Sequence, residues 1–253
     1  MTNSQLYETI FKRKSIRKFD MTPLDAAALS GIKNYAAEIR PLDKEIKYEF
    51  VYLVTNDVKN LLPIKAPHYI CIYSEKKEGY LTNAGFLLQQ MDLYFSANHL
   101  GSCWLGMAKV AGDIPDKKNS MEFVIMIAFG KTDEPLYRSD IAEFKRKNLT
   151  EITNLTDCKE LLEPVRLAPS ASNSQPWYIS GSKEEIIVSR KSLNIIMAPI
   201  YNKMNQVDIG IALYHLWLSL EYHGFTPDLA YEKGNVPKGY DYMATVHVRK
   251  TLS

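Results

Sequence analysis

The sequence predicts a protein of mixed helices and strands whose pattern of elements begins twice. Three observations carry this. Thr82 to Leu100, TNAGFLLQQMDLYFSANHL, is long, mostly apolar and free of proline, so it reads as a buried helix with Gly101 as its stop. Val207 to His223, VDIGIALYHLWLSLEYH, has the same character and is closed by Gly224. Short segments rich in β-branched and aromatic residues flank both helices. The 253 residues suffice for one large or two small domains, and the restart divides them into residues 1–150 and 151–253.

Composition narrows the function classes. Hydrophobic residues make up 46% and charged ones 24%, the balance of an ordinary soluble globular protein. No apolar run approaches the roughly 18 residues of a membrane span. The opening MTNSQLYETIFKRK is too polar for a signal peptide. A net charge of +2 supplies no whole-protein field for nucleic acid. Cys71, Cys103 and Cys158 lack metal-ligand spacing, and their odd count fits reduced thiols in the cytoplasm.

Taken in order, Gln5 to Lys14 carries Leu6, Ile10 and Phe11 at helical spacing. Pro23 to Ile39 reads as a helix with Thr22 as its cap. Tyr48 to Val54 and the HYICIY run from His68 are strands, with His68 a structural residue and Lys65 a surface lysine. GSCWLG, Gly101 to Gly106, reads as the loop after the first long helix, and Glu122 to Phe129 as the next strand. Asp133 to Lys147 is charged, contains Pro135 and reads as a connector. Asp157 to Leu167 is helical; Trp177 to Ser180, Glu185 to Arg190 and Tyr242 to Arg249 are strands. His247 alternates with apolar neighbours and is expected to face solvent.

Two stretches stand apart. In LAPSASNSQPWY, Leu167 to Tyr178, Pro169 stops the preceding helix, while Ser170, Ser172, Asn173 and Ser174 suit caps and turns. Gln175 is biased to extended backbone by Pro176. The result is a tight polar loop between a helix and a strand. The other stretch is basic, Lys12 to Phe19, KRKSIRKF, whose Lys12 and Lys18 read as a solvated face.

P-S-x-x-N-x-Q-P-W closely resembles the flavin-contacting loop of the nitroreductase family of FMN-dependent oxidoreductases. R-x-S-x-R-x-F resembles that family's second motif, and the resemblance covers nearly the whole chain. It implies a nitroreductase-like α+β fold, two related halves each with a mostly antiparallel sheet and a long central helix. It implies that Arg13, Ser15 and Arg17 grip the FMN phosphate, a role their chemistry suits because guanidinium forks match phosphate oxygens and a hydroxyl adds a donor. Pro169, Ser170, Ala171, Asn173 and Gln175 would contact the isoalloxazine and ribityl groups, and Leu105 and Gly106 would offer backbone near N5. Arg146, with Lys145 and Lys147 as substitutes, would reach the phosphate from the other side. Cys103 has no His or Asp neighbour in sequence and reads as a packed thiol. No catalytic side chain or metal is implied.

The two long helices overlay with Gly85 on Gly210, Leu88 on Leu213, Met91 on Leu216 and Leu93 on Leu218. The first half holds R-x-S-x-R without the Ser/Asn loop, and the second holds the loop without the arginines. The chain thus resembles the family's fused single-chain branch, a pseudo-dimer with one FMN between its halves, acting as a monomer or weak homodimer. Such a protein would take electrons from NAD(P)H and pass two to a small nitroaromatic, quinone or similar acceptor by a ping-pong mechanism, in the cytoplasm, with no nucleic-acid or membrane partner. The alternative is an FMN-binding or sensing module with little turnover. Nucleic-acid binding by the basic stretches near Arg13 and Arg146 is disfavoured because interleaved aromatic stacking residues are sparse there.

Overall fold

Local chemistry starts the first helix. The Gln5 N–H donates to Thr2 Oγ1 and the Thr2 N–H donates to Gln5 Oε1, a reciprocal cap that opens α1 (Asn3–Ile10). The computed structural model describes residues 1–232 and 234–251. The chain divides into two compact units, Lys12–Ser139 and Met1–Phe11 with Asp140–Ser253. The division thus falls before Asp140 rather than at 150, and α1 belongs with the C-terminal part.

The unit of residues 12–139 contains α2 (Ala26–Glu38), β1 (Tyr48–Val54), β2 (Val58–Lys59), β3 (His68–Ser74), α3 (Tyr80–Ala97), β4 (Gly101–Leu105), β5 (Lys109–Val110), β6 (Lys117–Lys118) and β7 (Met121–Gly130). Its main sheet runs β1-β3-β7-β4, antiparallel throughout, with β6 also on β7; β2 and β5 form a separate ribbon. Tyr69, Cys71, Tyr73, Cys103, Leu105, Met126 and Ala128 share one buried cluster. Phe95 of α3 stacks on Phe129 of β7 with centroids 4.4 Å apart.

The other unit adds α4 (Leu149–Ile152), α5 (Lys159–Leu167), β8 (Trp177–Gly181), β9 (Glu185–Lys191), α6 (Ala198–Tyr222), β10 (Phe225–Ala230) and β11 (Tyr240–Lys250). Its sheet runs β10-β11-β9-β8, again antiparallel. Tyr7 of α1 stacks on Tyr222 of α6 with centroids 3.8 Å apart. Among the described residues, no helix is long and apolar enough to cross a membrane.

Several elements differ from their sequence reading. Asp25, not Thr22, caps α2: the Ala28 N–H donates to Asp25 Oδ1 at 2.8 Å. GSCWLG is not a loop, because Gly101 to Leu105 pair with β7 as strand β4. The turn before it is made by His99, at φ 59. Gly101 is needed for closeness rather than for a stop, since a Cβ there would lie 3.0 Å from Ile16. α6 begins two turns before the expected start, with Pro199 in its first turn, where a missing N–H removes no helical bond. FTPDLA forms β10 although proline and aspartate argue against a strand; it is an edge strand, where proline is tolerated.

His68 is structural, as its isolation in the sequence suggested. It is buried, its Nε2 accepts the Leu24 N–H at 2.9 Å, and burial lowers its pKa below 6.5. The neutral ring is therefore the folded form. Its stabilising effect is complete above the unfolded pKa of 6.5 and is lost as pH falls through that value toward the lowered folded one. Thermal melts between about pH 7.5 and 5 should show a steeper loss of Tm in the wild type than in His68→Gln, whose amide oxygen can accept the same N–H without titrating.

Candidate functional site

The arginine motif is built in the unit of residues 12–139. After α1 the chain runs extended: the Ile16 N–H donates to the Ser102 carbonyl at 2.9 Å and the Asp20 N–H to the Lys131 carbonyl at 2.9 Å. Ile16 is thereby tied to β4 and Asp20 to the chain just after β7. Partners, not strict alternation, decide which of these side chains are buried. Arg13 is only 1% exposed and Ile16 is buried, Ser15 is half-buried, and Arg17 is exposed.

Arg13 is held by an acid at the middle of α3. Its Nε lies 3.2 Å from Asp92 Oδ2, and both side chains are shut away from solvent. Asp92 also receives Ser102 Oγ at 2.6 Å and Gln89 Nε2 at 3.3 Å. The remaining end of the guanidinium donates to Ser15 Oγ at 3.2 Å. The Arg13 carbonyl accepts from the Arg138 guanidinium. The expectation that Arg13 grips a phosphate directly thus meets a buried group already neutralised by Asp92. Arg17 has no ion pair among the described residues and is the open cation of the motif. Asp92 was missed, although a lone carboxylate inside FLLQQMDLYFSA signals a buried partner.

Leu105 ends β4 and is buried, and Gly106 turns the chain in a half-buried position, the Leu105 carbonyl accepting the Ala108 N–H at 3.4 Å. Cys103 is packed, 4% exposed, and burial raises its thiol pKa, which removes thiolate chemistry.

The Ser/Asn loop lies in the other unit. Pro169 is buried, Ser170 and Ala171 are half-buried, and Ser172, Asn173 and Ser174 form an exposed rim. Ser172, Asn173 and Gln175 have φ of 52, 55 and 45, an uncommon cluster of left-handed non-glycine residues. The backbone is held there by its neighbours. Gln175 is 1% exposed and every polar atom is used: its N–H donates to Ser170 Oγ, its Nε2 to the Arg166 carbonyl, and its Oε1 and carbonyl accept from Lys147. Gln175 is therefore the loop's inner clamp and does not face outward. Arg146 donates to Asn173 Oδ1 and to the carbonyls of Phe144 and Leu167, while Asn173 Nδ2 donates to the Lys145 carbonyl at 2.9 Å. Lys145 is the exposed member of the basic trio.

One further residue fixes this loop. Asp208 of α6 is 3% exposed and accepts the Ala171 N–H at 3.0 and 3.2 Å. Burial pushes its carboxyl up to about 8, the single N–H working against that. The apolar run VDIGIAL gives no hint of this bond.

Residues 5–220 match the family model described as "Putative TM nitroreductase". The class is thus that of nitroreductase-type oxidoreductases. The chain belongs to this family. A Thermotoga maritima protein described as a "putative nitroreductase" is 23% identical, over 98% of this chain and 94% of that one, with a TM-score of 0.65, which shows a shared fold. A nitroreductase family protein of Clostridium novyi is 22% identical over 55% of this chain and 90% of that one, at a TM-score of 0.42. A Bacteroides fragilis nitroreductase with bound FMN is 18% identical over 53% of this chain and 92% of that one, also at 0.42. No curated protein matches the chain.

Two outcomes test this geometry. Arg13→Ala should destabilise the protein by about 3–5 kcal/mol, because it strands the buried Asp92 carboxylate; urea unfolding with an unchanged midpoint would refute the ion pair's role. Asp208 has a raised folded pKa, so its favourable contribution is present below 3.8 and is lost as pH rises from there to about 8. Asp208→Asn keeps an acceptor for Ala171 without that loss. Its unfolding free energy relative to wild type should therefore rise steadily across this range in a pH series of denaturant melts.

Proposed function

We propose that the chain is an FMN-dependent oxidoreductase that takes two electrons from NAD(P)H and delivers them to a small nitroaromatic or quinone. The observation that supports this most is the division of labour in the arginine motif. Asp92 pins Arg13, Arg13 donates to Ser15 Oγ, and Arg17 is left open to solvent. With its lone pair engaged, the Ser15 hydroxyl keeps its own proton for an outside acceptor. A hydroxyl donor two residues from a free guanidinium suits a phosphate monoester such as that of FMN. Arg13 then acts on the phosphate through Ser15.

FMN, when bound, supplies the two-electron relay between donor and acceptor. The chain's own residues hold and orient it. Ser15 and Arg17 take the phosphate, the rim Ser170 to Ser174 meets the ring and ribityl, and Leu105 and Gly106 present backbone near N5. Asn173 has Arg146 behind it and Ala171 has Asp208 behind it, so both enter the reading with fixed positions. Donor and acceptor use one stacking space in turn, which makes the kinetics ping-pong. Motif and loop each occur once in the chain, which supports one FMN per chain.

Titration of apoprotein with FMN should give one tight equivalent per chain. Arg17→Ala should weaken binding by roughly tenfold or more, since a charge-assisted bond contributes ~1.5–3 kcal/mol. Two tight equivalents, or wild-type affinity in Arg17→Ala, would sink this assignment.

A further inference from the structure

We propose that the unit of residues 12–139 carries an anion-recognition subsite beside the flavin segment, and that it selects a substrate with a negatively charged group attached to a flat apolar body. The inference deepens the oxidoreductase reading and rests on it for the identity of the substrate.

The subsite is a cavity of about 520 Å³ at the β2–β5 ribbon. Three lysines line it, Lys59, Lys65 and Lys109, and no carboxylate does. Lys59 and Lys109 are direct partners across the antiparallel ribbon, in register with Val58 opposite Val110. Like charges placed directly opposite on a strand pair destabilise it. A ribbon of two residues per strand has little to offset that repulsion, so the arrangement makes sense when an anion bridges the two ammonium groups. The nearest acid in sequence, Asp57, is turned to the backbone, its Oδ2 accepting the Val54 N–H at 2.9 Å.

Apart from Thr55 and Asn60, whose side chains donate to the Ala66 and Ile64 carbonyls, the rest of the cavity is apolar and open. Ile64 and Tyr69 form a buried floor, whereas Leu61 is 77%, Leu62 49% and Met107 58% exposed. Large apolar side chains turned to water around a cationic mouth match an amphipathic ligand better than a free inorganic ion. Met107 directly follows Leu105 and Gly106, the backbone assigned to the flavin N5. The ligand's apolar body therefore lies toward the reacting end and its anion toward Lys59 and Lys109. Two substrates have this chemistry: a donor bearing a phosphate beyond those of NADH, as NADPH does, and an anionic aromatic acceptor.

Equilibrium titration with naphthalenesulfonate and with neutral naphthol isolates the charge from the ring, and it needs no turnover. Wild-type protein should bind the sulfonate about tenfold or more tightly than the naphthol, with a preference that fades in high salt. Combining Lys59→Gln with Lys109→Gln should level the two ligands. Lys109→Glu should also abolish the preference while keeping or raising Tm, because it converts a repulsive pair into an attractive one; loss of preference with Tm retained excludes misfolding as the cause. Steady-state kinetics then identify the bearer of the anion. A double variant that loses only its KM advantage for NADPH over NADH places it on the donor, and one that loses only its advantage for a sulfonated over a neutral naphthoquinone places it on the acceptor. If neither ratio moves, the ligand is not a substrate and the proposal is overturned. An absent sulfonate preference in a protein that takes up FMN overturns this inference alone. A sulfonate preference in a protein that cannot take up FMN overturns the flavin reading instead.

Discussion

The buried ion pair between Arg13 and Asp92 fixes the arginine motif. Two charges removed from water cost several kcal/mol each, and their attraction offsets this only with good geometry and further hydrogen bonds. Here the further bonds come from Ser102, Gln89 and Ser15. They tie three pieces of chain to one carboxylate: the extended segment after α1, the centre of α3 and the start of β4. Arg17, four residues on, has no ion-pair partner among the described residues and is exposed.

The loop of the other unit is fixed by different means. Asp208 has no arginine opposite it, only the Ala171 N–H, and burial therefore favours its neutral acid near pH 7. Strain is the second constraint. Left-handed backbone at non-glycine residues costs of order 1–3 kcal/mol each, and three such residues lie within four positions. Lys147, Gln175, Arg146 and Asp208 hold them there through side-chain bonds to the loop. The rim that remains, Ser172 to Ser174, is exposed, with Asn173 tied back to Arg146 and the Lys145 carbonyl.

β1, β3, β7, β8, β9, β11 and the two long helices were legible because their sequences obey one period at a time, whereas β4 and β10 were not. Tyr48–Val54 matches its expected span, and the apolar runs on α3 and α6 leave no alternative to burial. The motifs were legible as chemistry but not as geometry. Arg13 and Arg17 look alike in R-x-S-x-R, and only the partner on α3, far away in sequence, separates them. Gln175 reads as one more polar residue of a polar loop, yet its side chain is spent on Arg166 and Lys147. Gly101 carries a strong stop signal, but its neighbours Cys103, Trp104 and Leu105 suit a strand, and pairing with β7 overrides the local cue. Asp25 outcompetes Thr22 as a cap because Pro23 and Leu24 intervene before the helix begins.

The two units share a plan in more than strand order. In each, two antiparallel strands are followed by the long helix and then by two more, and the sheet order is first, second, fourth, third. The helix overlay that pairs Gly85 with Gly210 also pairs Asn83 with Asp208 and Gln90 with His215. Asn83 Oδ1 accepts the backbone N–H groups of Leu42 and Asp43, just as Asp208 accepts that of Ala171. Gln90 donates to the Arg40 carbonyl and His215 Nδ1 to that of Pro164, at 2.8 and 2.7 Å. Each long helix thus reaches back with two polar side chains to the segment before its sheet, and the two segments both carry a proline, Pro41 and Pro169. Apolar matches between helices arise easily by chance; paired buried polar residues that bond matching backbone groups do not, because each must be satisfied by its own partner. The units differ at the corresponding loops. The segment after Pro41 reads LDKEIK, without the Ser and Asn of SASNSQ, and the carboxylate at 208 is an amide at 83. The left-handed backbone of the Ser/Asn loop has no counterpart there: among the described residues no positive φ occurs between Pro41 and Tyr48.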